Sequence, residues 1–180
     1  LPGNERVAYT DGYPNSSIGV MNIKNTFNKK TIVPSNGNLY RCLTVQKGGK
    51  KLLYTEEKSN TYTKIVSVNL DGTERRVLAT TGAIGYGYCP SWSKDDRKIS
   101  YYTESNAVDP STGYSVNDWV RLNVMNADGS GVRTLVDIGR SSTVSNAKLI
   151  AGSAWSSGSS SVLFVKEVAG VVNLNYVNVG

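Results

Sequence analysis

One phrase recurs along this chain with its spacing kept, and that recurrence constrains the fold more than any other feature. CPSWSKDDRKISYYT (89–103) matches LTVQKGGKKLLYT (43–55) and SAWSSGSSSVLFV (153–165), and a truncated copy, LPGNERVAYT, opens the chain. Trp92 falls where Val45 and Trp155 fall, and Val7 falls with Leu52, Ile99 and Val162. Behind each copy comes a second phrase: IGVMNIKN (18–25), IVSVNLDGTERRVL (65–78), RLNVMNADGSGVRTL (121–135) and LNYVNVG (174–180), which makes Asn22, Asn69, Asn126 and Asn178 equivalent. Cys42 to Cys89, Val45 to Trp92 and Asn22 to Asn69 are each 47 residues apart. A fixed period of that size is the signature of a repeat architecture.

Within each repeat, alternating apolar and polar residues of high β-propensity are broken by GG, DD or DG turns, which predicts successive antiparallel strands and no helix. Asp71-Gly72 and Asp128-Gly129 are the residue pairs of a type I′ hairpin, whose central positions both need φ > 0. A full repeat then has an inner strand (such as 89–93), a second (98–103), a third (120–126) and an outer one (132–136). Four-stranded units at this period are the pattern of propeller blades. The expected fold is an all-β, propeller-type array of about four blades in one domain, 1–180, with repeats near 1–36, 37–82, 83–140 and 141–180. The first lacks its inner strand and the last its outer strand.

PSWSKDDRKISYYT followed by VMNADGSGVRTL resembles the WD-repeat-like blade of the TolB family, in which an aromatic strand, a charged turn, a strand ending in Tyr-Thr and a Met-Asn-x-Asp-Gly hairpin follow one another. The third repeat matches best and the second well. The first departs by its missing strand, the fourth by Ser-Gly-Ser-Ser-Ser in place of the charged turn. The resemblance implies a propeller fold, and for function a protein-interaction or lid-like role; fold alone does not carry an activity.

Incomplete end repeats leave sheet edges, and exposed edges are templates for another strand. The edge strands are RVAYT (6–10) and VVNLNYVNV (171–179), with Val7, Tyr9, Leu174 and Tyr176 as candidate assembly residues and Arg6 the only charge in either. Either the chain is a window of a larger propeller, or strands come from a neighbouring subunit, or the end assignments fail. No stretch has the apolar length of a membrane span, and the start has neither an initiator Met nor a signal-like apolar region. Richness in Asn, Ser, Gly, Thr and Tyr suits an extracytoplasmic setting: periplasmic, cell-surface or secreted. Two cysteines are too few for a disulfide framework, but Cys42 and Cys89 are candidates for one bridge.

Blade topology sorts the side chains by end. Nearly all of the formal +6 charge falls on the inner-to-second and third-to-outer turns, among interspersed acids, a pattern that reads as solvated turns rather than a nucleic-acid surface. The opposite end gathers Tyr13, Tyr40, Tyr62, Tyr86, Tyr88, Tyr114 and Trp119, with an extended loop over 105–119. Tyr13, Tyr40, Tyr86, Tyr88, Tyr114 and Trp119 are therefore the candidate ligand-binding residues, for tyrosine and tryptophan give large amphipathic contacts at low entropic cost.

The chain has no histidine, which removes Ser-His and Cys-His nucleophilic catalysis. The inner strands CLTV, CPSWS and GSAWS hold no acid for glycoside hydrolysis, and the adjacent pairs Glu56-Glu57 and Asp95-Asp96 read as solvated turns. GAIGYGYCP lacks a P-loop Lys, and NADGSG is better read as a hairpin than as a calcium loop. The expectation is a non-enzymatic interaction module without metal or cofactor, whose partner is a protein or a copy of itself. A self-assembling subunit joined by edge-strand exchange and a glycan-binding or glycan-active propeller are the other two classes. Trp92 and Trp155 are expected to be buried anchors.

Overall fold

The computed structural model describes residues 6–13, 15–22, 24–58, 62–82, 88–108, 115–138 and 147–180, with the backbone alone at 25–27, 105–108, 115–119, 138 and 147–151. Among the described residues there is no helix, and the strands form antiparallel sheets. The first sheet holds β1 (Arg6–Asp11), β2 (Ser17–Asn22) and β3 (Asn25–Val33). The second holds β4 (Leu39–Val45), β5 (Lys51–Lys58), β6 (Tyr62–Asn69) and β7 (Arg76–Thr81). The third holds β8 (Ser91–Trp92), β9 (Lys98–Val108), β10 (Ser115–Asn126) and β11 (Arg133–Ile138). The fourth holds β12 (Ala147–Trp155), β13 (Ser161–Val168) and β14 (Val171–Asn178). Each sheet is ordered as its strands occur in the chain, three, four, four and three, the division that the repeated phrases imply.

Strand register reproduces the repeat residue by residue. Val45 pairs with Leu52, Trp92 with Ile99 and Trp155 with Val162. The four recurrent asparagines sit opposite equivalent partners: Asn22 with Arg6, Asn69 with Lys51, Asn126 with Lys98 and Asn178 with Ser161. One backbone bond closes three of the sheets at the same place. The amide after the asparagine donates to the carbonyl just ahead of the neighbouring strand: Leu70 to Lys50 at 3.0 Å, Ala127 to Arg97 at 2.8 Å and Val179 to Ser160 at 2.8 Å.

The inner turns share a geometry although their sequences do not. Gln46, Ser93 and Ser156 each accept from the residue three on, and that residue is left-handed in all three: Gly49 (φ 67), Asp96 (φ 60) and Ser159 (φ 57). Ser-Gly-Ser-Ser-Ser in the fourth repeat thus makes the turn that Lys-Asp-Asp-Arg makes in the third.

The Asp-Gly hairpins differ from the expected type I′. Gly72 (φ 93) and Gly129 (φ 90) are left-handed, but Asp71 and Asp128 are not. Gly72 N–H donates to Asn69 O and Asn69 N–H to Thr73 O, both at 2.9 Å. That is a type I turn closed by a left-handed glycine in a G1 bulge, the usual three-residue hairpin loop. The aspartate helps select it, since Asp71 Oδ1 accepts from Thr73 N at 2.9 Å and Thr73 Oγ1 at 2.6 Å, and Asp128 Oδ1 does the same with Ser130.

Two further expectations change. The 105–119 loop is largely hairpin, because β9 and β10 stay paired out to Val108 and Ser115. Glu56 and Glu57 lie within β5, not in a turn, on opposite faces of the strand.

The chain divides into two compact units, Leu1–Thr80 and Thr81–Gly180. In the first, Ala8, Ile18, Val20 and Ile32 of the first sheet pack with Leu52, Tyr54, Val66 and Val68 of the second. In the second, Tyr102, Leu122 and Val124 of the third sheet pack with Trp155, Val162 and Phe164 of the fourth. By the repeat, Ile18 is equivalent to Leu122, Val20 to Val124, Leu52 to Val162 and Tyr54 to Phe164. One interface is made twice: the rear face of one sheet meets the front face of the next. In the second unit it is also hydrogen-bonded, with Trp155 Nε1 donating to Ser91 O at 3.1 Å and Tyr102 OH to Gly152 O at 3.0 Å.

Candidate interaction surface

The rear face of the fourth sheet consists of Leu163 and Val165 on β13 with Val172, Leu174 and Tyr176 on β14. Leu163 pairs with Tyr176, Val165 with Leu174 and Glu167 with Val172, which sets them all to one side. Leu174 is equivalent to Ile18, Ile65 and Leu122, and each of those is wholly buried, whereas Leu174 is 70% exposed. Tyr176, equivalent to Val20, Ser67 and Val124, is 73% exposed where those three are buried. Val172, 58% exposed, extends the same face, while the exposed Val168 and Val171 pair with each other on the opposite one. Contiguous exposed apolar surface of this kind marks an interaction site more reliably than scattered exposed side chains do. β14 is also an end strand of its sheet.

The front face of the first sheet is the converse case. Val7 is 40% exposed, while its equivalents Leu52, Ile99 and Val162 are wholly buried. Tyr9 lies flat against Gly19, where a Cβ would come within 2.4 Å of the ring, and Lys29 Nζ stands 5.9 Å from the ring centroid. Gly19 is therefore needed for the close approach of the tyrosine. β1, which carries Val7 and Tyr9, is an end strand as well. The four candidate assembly residues thus fall on two apolar faces and not only along two edges.

A buried polar cluster, not legible in the sequence, lies in the first unit. Glu56 on β5 is almost fully buried and is ion-paired with Arg75 and, at 3.6 Å, with Lys64, while Asn38 Nδ2 donates to its Oε1 at 2.8 Å. Arg75 Nε donates to Tyr54 OH at 2.9 Å, and Tyr40 meets Tyr54 edge-on at 5.4 Å. Burial pushes the Tyr54 hydroxyl up to about 12 against the opposing pull of Arg75, and raises Tyr40 with help from the Glu56 charge. Glu57, on the other face, is raised by burial and held by Arg41 at 3.6 Å. Glu56 stands opposite Lys64 in the ladder, and that cross-strand charge pair was the available sequence signal.

The aromatic candidates separate. Tyr13 is 82% exposed. Tyr40 leaves the candidate surface: it is buried in the core, with its hydroxyl donating to Pro34 O at 3.1 Å. Tyr88 is half-buried and packs on Tyr102 at 4.9 Å between ring centroids. Tyr86 and Tyr114 lie outside the described residues, and Trp119 is described in its backbone alone. Tyr62 is half-buried beneath Lys64 Nζ, 4.8 Å from its centroid. Trp92 and Trp155 are both buried; Trp155 is hydrogen-bonded, while Trp92 Nε1 has no partner among the described residues. Cys42 lies in the bulge of β4 with φ 56, and its repeat equivalent in β12, Gly152, has φ 94. Cys89 falls two residues ahead of β8 and not inside it. Both cysteines are disulfide-bonded.

Among the described residues no group of histidine, cysteine and acidic side chains is placed to hold a metal ion, and no helix is long and apolar enough to cross a membrane.

The sheets, their serial order and their repeated face-to-face packing define a fold of β-propeller type, and known structures agree. The chain is similar to the putative TolB from Agrobacterium tumefaciens, with TM-score 0.53 and 16% identity over 77% of this chain and 48% of that one. It is also similar to a putative dipeptidyl aminopeptidase IV from Bacteroides ovatus, with TM-score 0.64 and 14% identity over 92% of this chain and 25% of that one. The acylaminoacyl peptidase of Pyrococcus horikoshii gives TM-score 0.62 and 14% identity, over 89% of this chain and 26% of that one. This chain spans about half of the TolB structure and about a quarter of the two peptidases. No family model matches, and no curated protein does. At such identities the likeness is one of fold.

Proposed function

We propose that the chain is a non-enzymatic interaction module of a β-propeller, four blades of it, working in an extracytoplasmic compartment and binding protein through the rear face of its last sheet. The observation that carries this reading is the exposure of Leu174 and Tyr176 at positions buried in the three preceding sheets. Two findings support the rest. Disulfide-bonded cysteines suit an oxidising compartment. Several carboxylates that acid–base chemistry would call on have structural partners: Glu56 in its buried cluster, Asp71 and Asp128 in their turns, and Asp95, whose Oδ1 accepts from Ser93 Oγ at 2.6 Å. A peptidase reading would take its catalytic groups from outside this chain's histidine-free sequence.

The test is a photo-reactive phenylalanine analogue installed at position 176, with the same residue at position 13 as control. Irradiation in an extract of the source is expected to give protein adducts from position 176, including adducts of the chain with itself. Absence of any protein adduct at 176, together with glycan-array binding that Tyr13→Ala abolishes, would replace this reading with the glycan one.

A further inference from the structure

We infer a second interaction surface, at the turn end of the first unit, where Lys30, Lys47, Lys50 and Lys51 take an acidic segment of a protein. It is built from turns inside that unit, not from the outer face of either end sheet, and it is independent of the surface at Leu174. The inner turn of the second sheet reads Lys47-Gly48-Gly49-Lys50-Lys51, with no acid in it. The equivalent turn of the third sheet alternates in sign, Lys94-Asp95-Asp96-Arg97-Lys98, and that of the fourth carries no charge. Two bonds gather the lysines at one place. Lys50 O accepts from Leu70 N at 3.0 Å, which holds the inner turn against the Asp71-Gly72 hairpin, and Lys30 Nζ on β3 donates to Asp71 O at 2.9 Å. The acids of that hairpin are already engaged. Asp71 Oδ1 accepts from Thr73 N and Thr73 Oγ1, and Glu74 takes Lys51 at 2.7 Å. Lys30 meets a carbonyl and not a carboxylate, so its charge is not cancelled, while Lys47 and Lys50 are exposed. Basic charge gathered in this way raises the local potential and attracts an anionic partner. The chemistry of the partner follows from the residue types. A lysine ammonium is a point charge on a flexible stem, suited to single carboxylates along a peptide, whereas planar bidentate recognition of phosphate favours arginine. Neither 46–51 nor 69–75 contains an aromatic residue on which a base could stack. Gly48 and Gly49 put no side chain between Lys47 and Lys50, which leaves room for an extended segment.

Fluorescence anisotropy with a labelled polyglutamate peptide tests this on the full chain. Lys47→Glu with Lys50→Glu reverses the turn of the second sheet. Lys94→Glu with Arg97→Glu makes the same change of charge at the equivalent positions of the third sheet, so net charge is matched and place is not. The parent is expected to bind the peptide, the second-sheet variant to bind about tenfold more weakly or worse, and the third-sheet variant to stay within about twofold of the parent. Added salt should weaken the parent's binding more than that of the second-sheet variant, because exposed charges are screened. Lys47→Gln with Lys50→Gln takes the place of the reversed pair should near-ultraviolet circular dichroism show that pair unfolded. A parent that does not bind would overturn the inference, as would an equal loss in the two reversals. Tighter binding of oligothymidylate or of hyaluronate than of the peptide would also overturn it, and would make the surface one for nucleic acid or for a glycan. Protein adducts from position 176 that persist after any of these results leave the Leu174 surface standing.

Discussion

Tyr54 shows how one residue reports on the packing of the repeat. Its ring fills the front face of the second sheet, so burial disfavours the phenolate, and the Arg75 hydrogen bond only partly offsets this. The folded value, about 12, lies above the ordinary 10.0. A folded state that holds the proton more tightly than the unfolded one has its full contribution to stability below pH 10.0, and loses it as the pH rises through about 12. Tyr102, buried in the other unit, is raised by the same cause. Titration followed at 295 nm should therefore show a late step coupled to unfolding. Tyr54→Phe should remove part of that late step; removal of an early step near 10.0 instead would place Tyr54 in contact with water.

At the scale of the element, the turns explain why a degenerate sequence can keep one fold. Gly72 combines a left-handed backbone with a tight contact, since a Cβ there would stand 3.0 Å from the carbonyl oxygen of Ile32 on β3. Gly72→Ala should lower stability by roughly 1–2 kcal/mol through backbone strain alone. Gly72→Asn should recover only part of this, because asparagine tolerates the backbone but still carries the Cβ. Denaturant midpoints with an unchanged slope would check it, and an alanine variant as stable as the parent would show that the turn relaxes. Strand order and register were legible in the sequence because Asn22, Asn69, Asn126 and Asn178 mark the same rung of four ladders. The turn type was not, because Asp-Gly is compatible with both hairpin loops and the choice lies with the side chains of Thr73 and Ser130. Tyr40 was misplaced because a tyrosine at the start of a strand gives no sign of the Pro34 carbonyl that receives its hydroxyl. The burial of Glu56 was hidden by its neighbour Glu57, since two adjacent acids look solvated until the alternation of the strand sends them to opposite faces.

For the whole molecule, the sequence period identifies which residues share a face but not whether that face is covered. Leu174 and Leu122 are interchangeable in the repeat, yet one is exposed and the other wholly buried. Buried leucine side chains are each worth about 1.5–3 kcal/mol relative to exposed ones, so the exposed face at Leu174 is where covering by a protein partner would contribute most. The most direct measurement of such covering is hydroxyl-radical footprinting of the full chain with and without an extract of the source, each residue normalised to its own rate in the unfolded chain and Tyr13 serving as the internal reference. Normalised oxidation of Leu174 and Tyr176 should match that of Tyr13 for the chain alone and fall in the extract, while that of Tyr13 stays constant. Leu174 and Tyr176 whose normalised oxidation is the same with and without the extract would contradict the account.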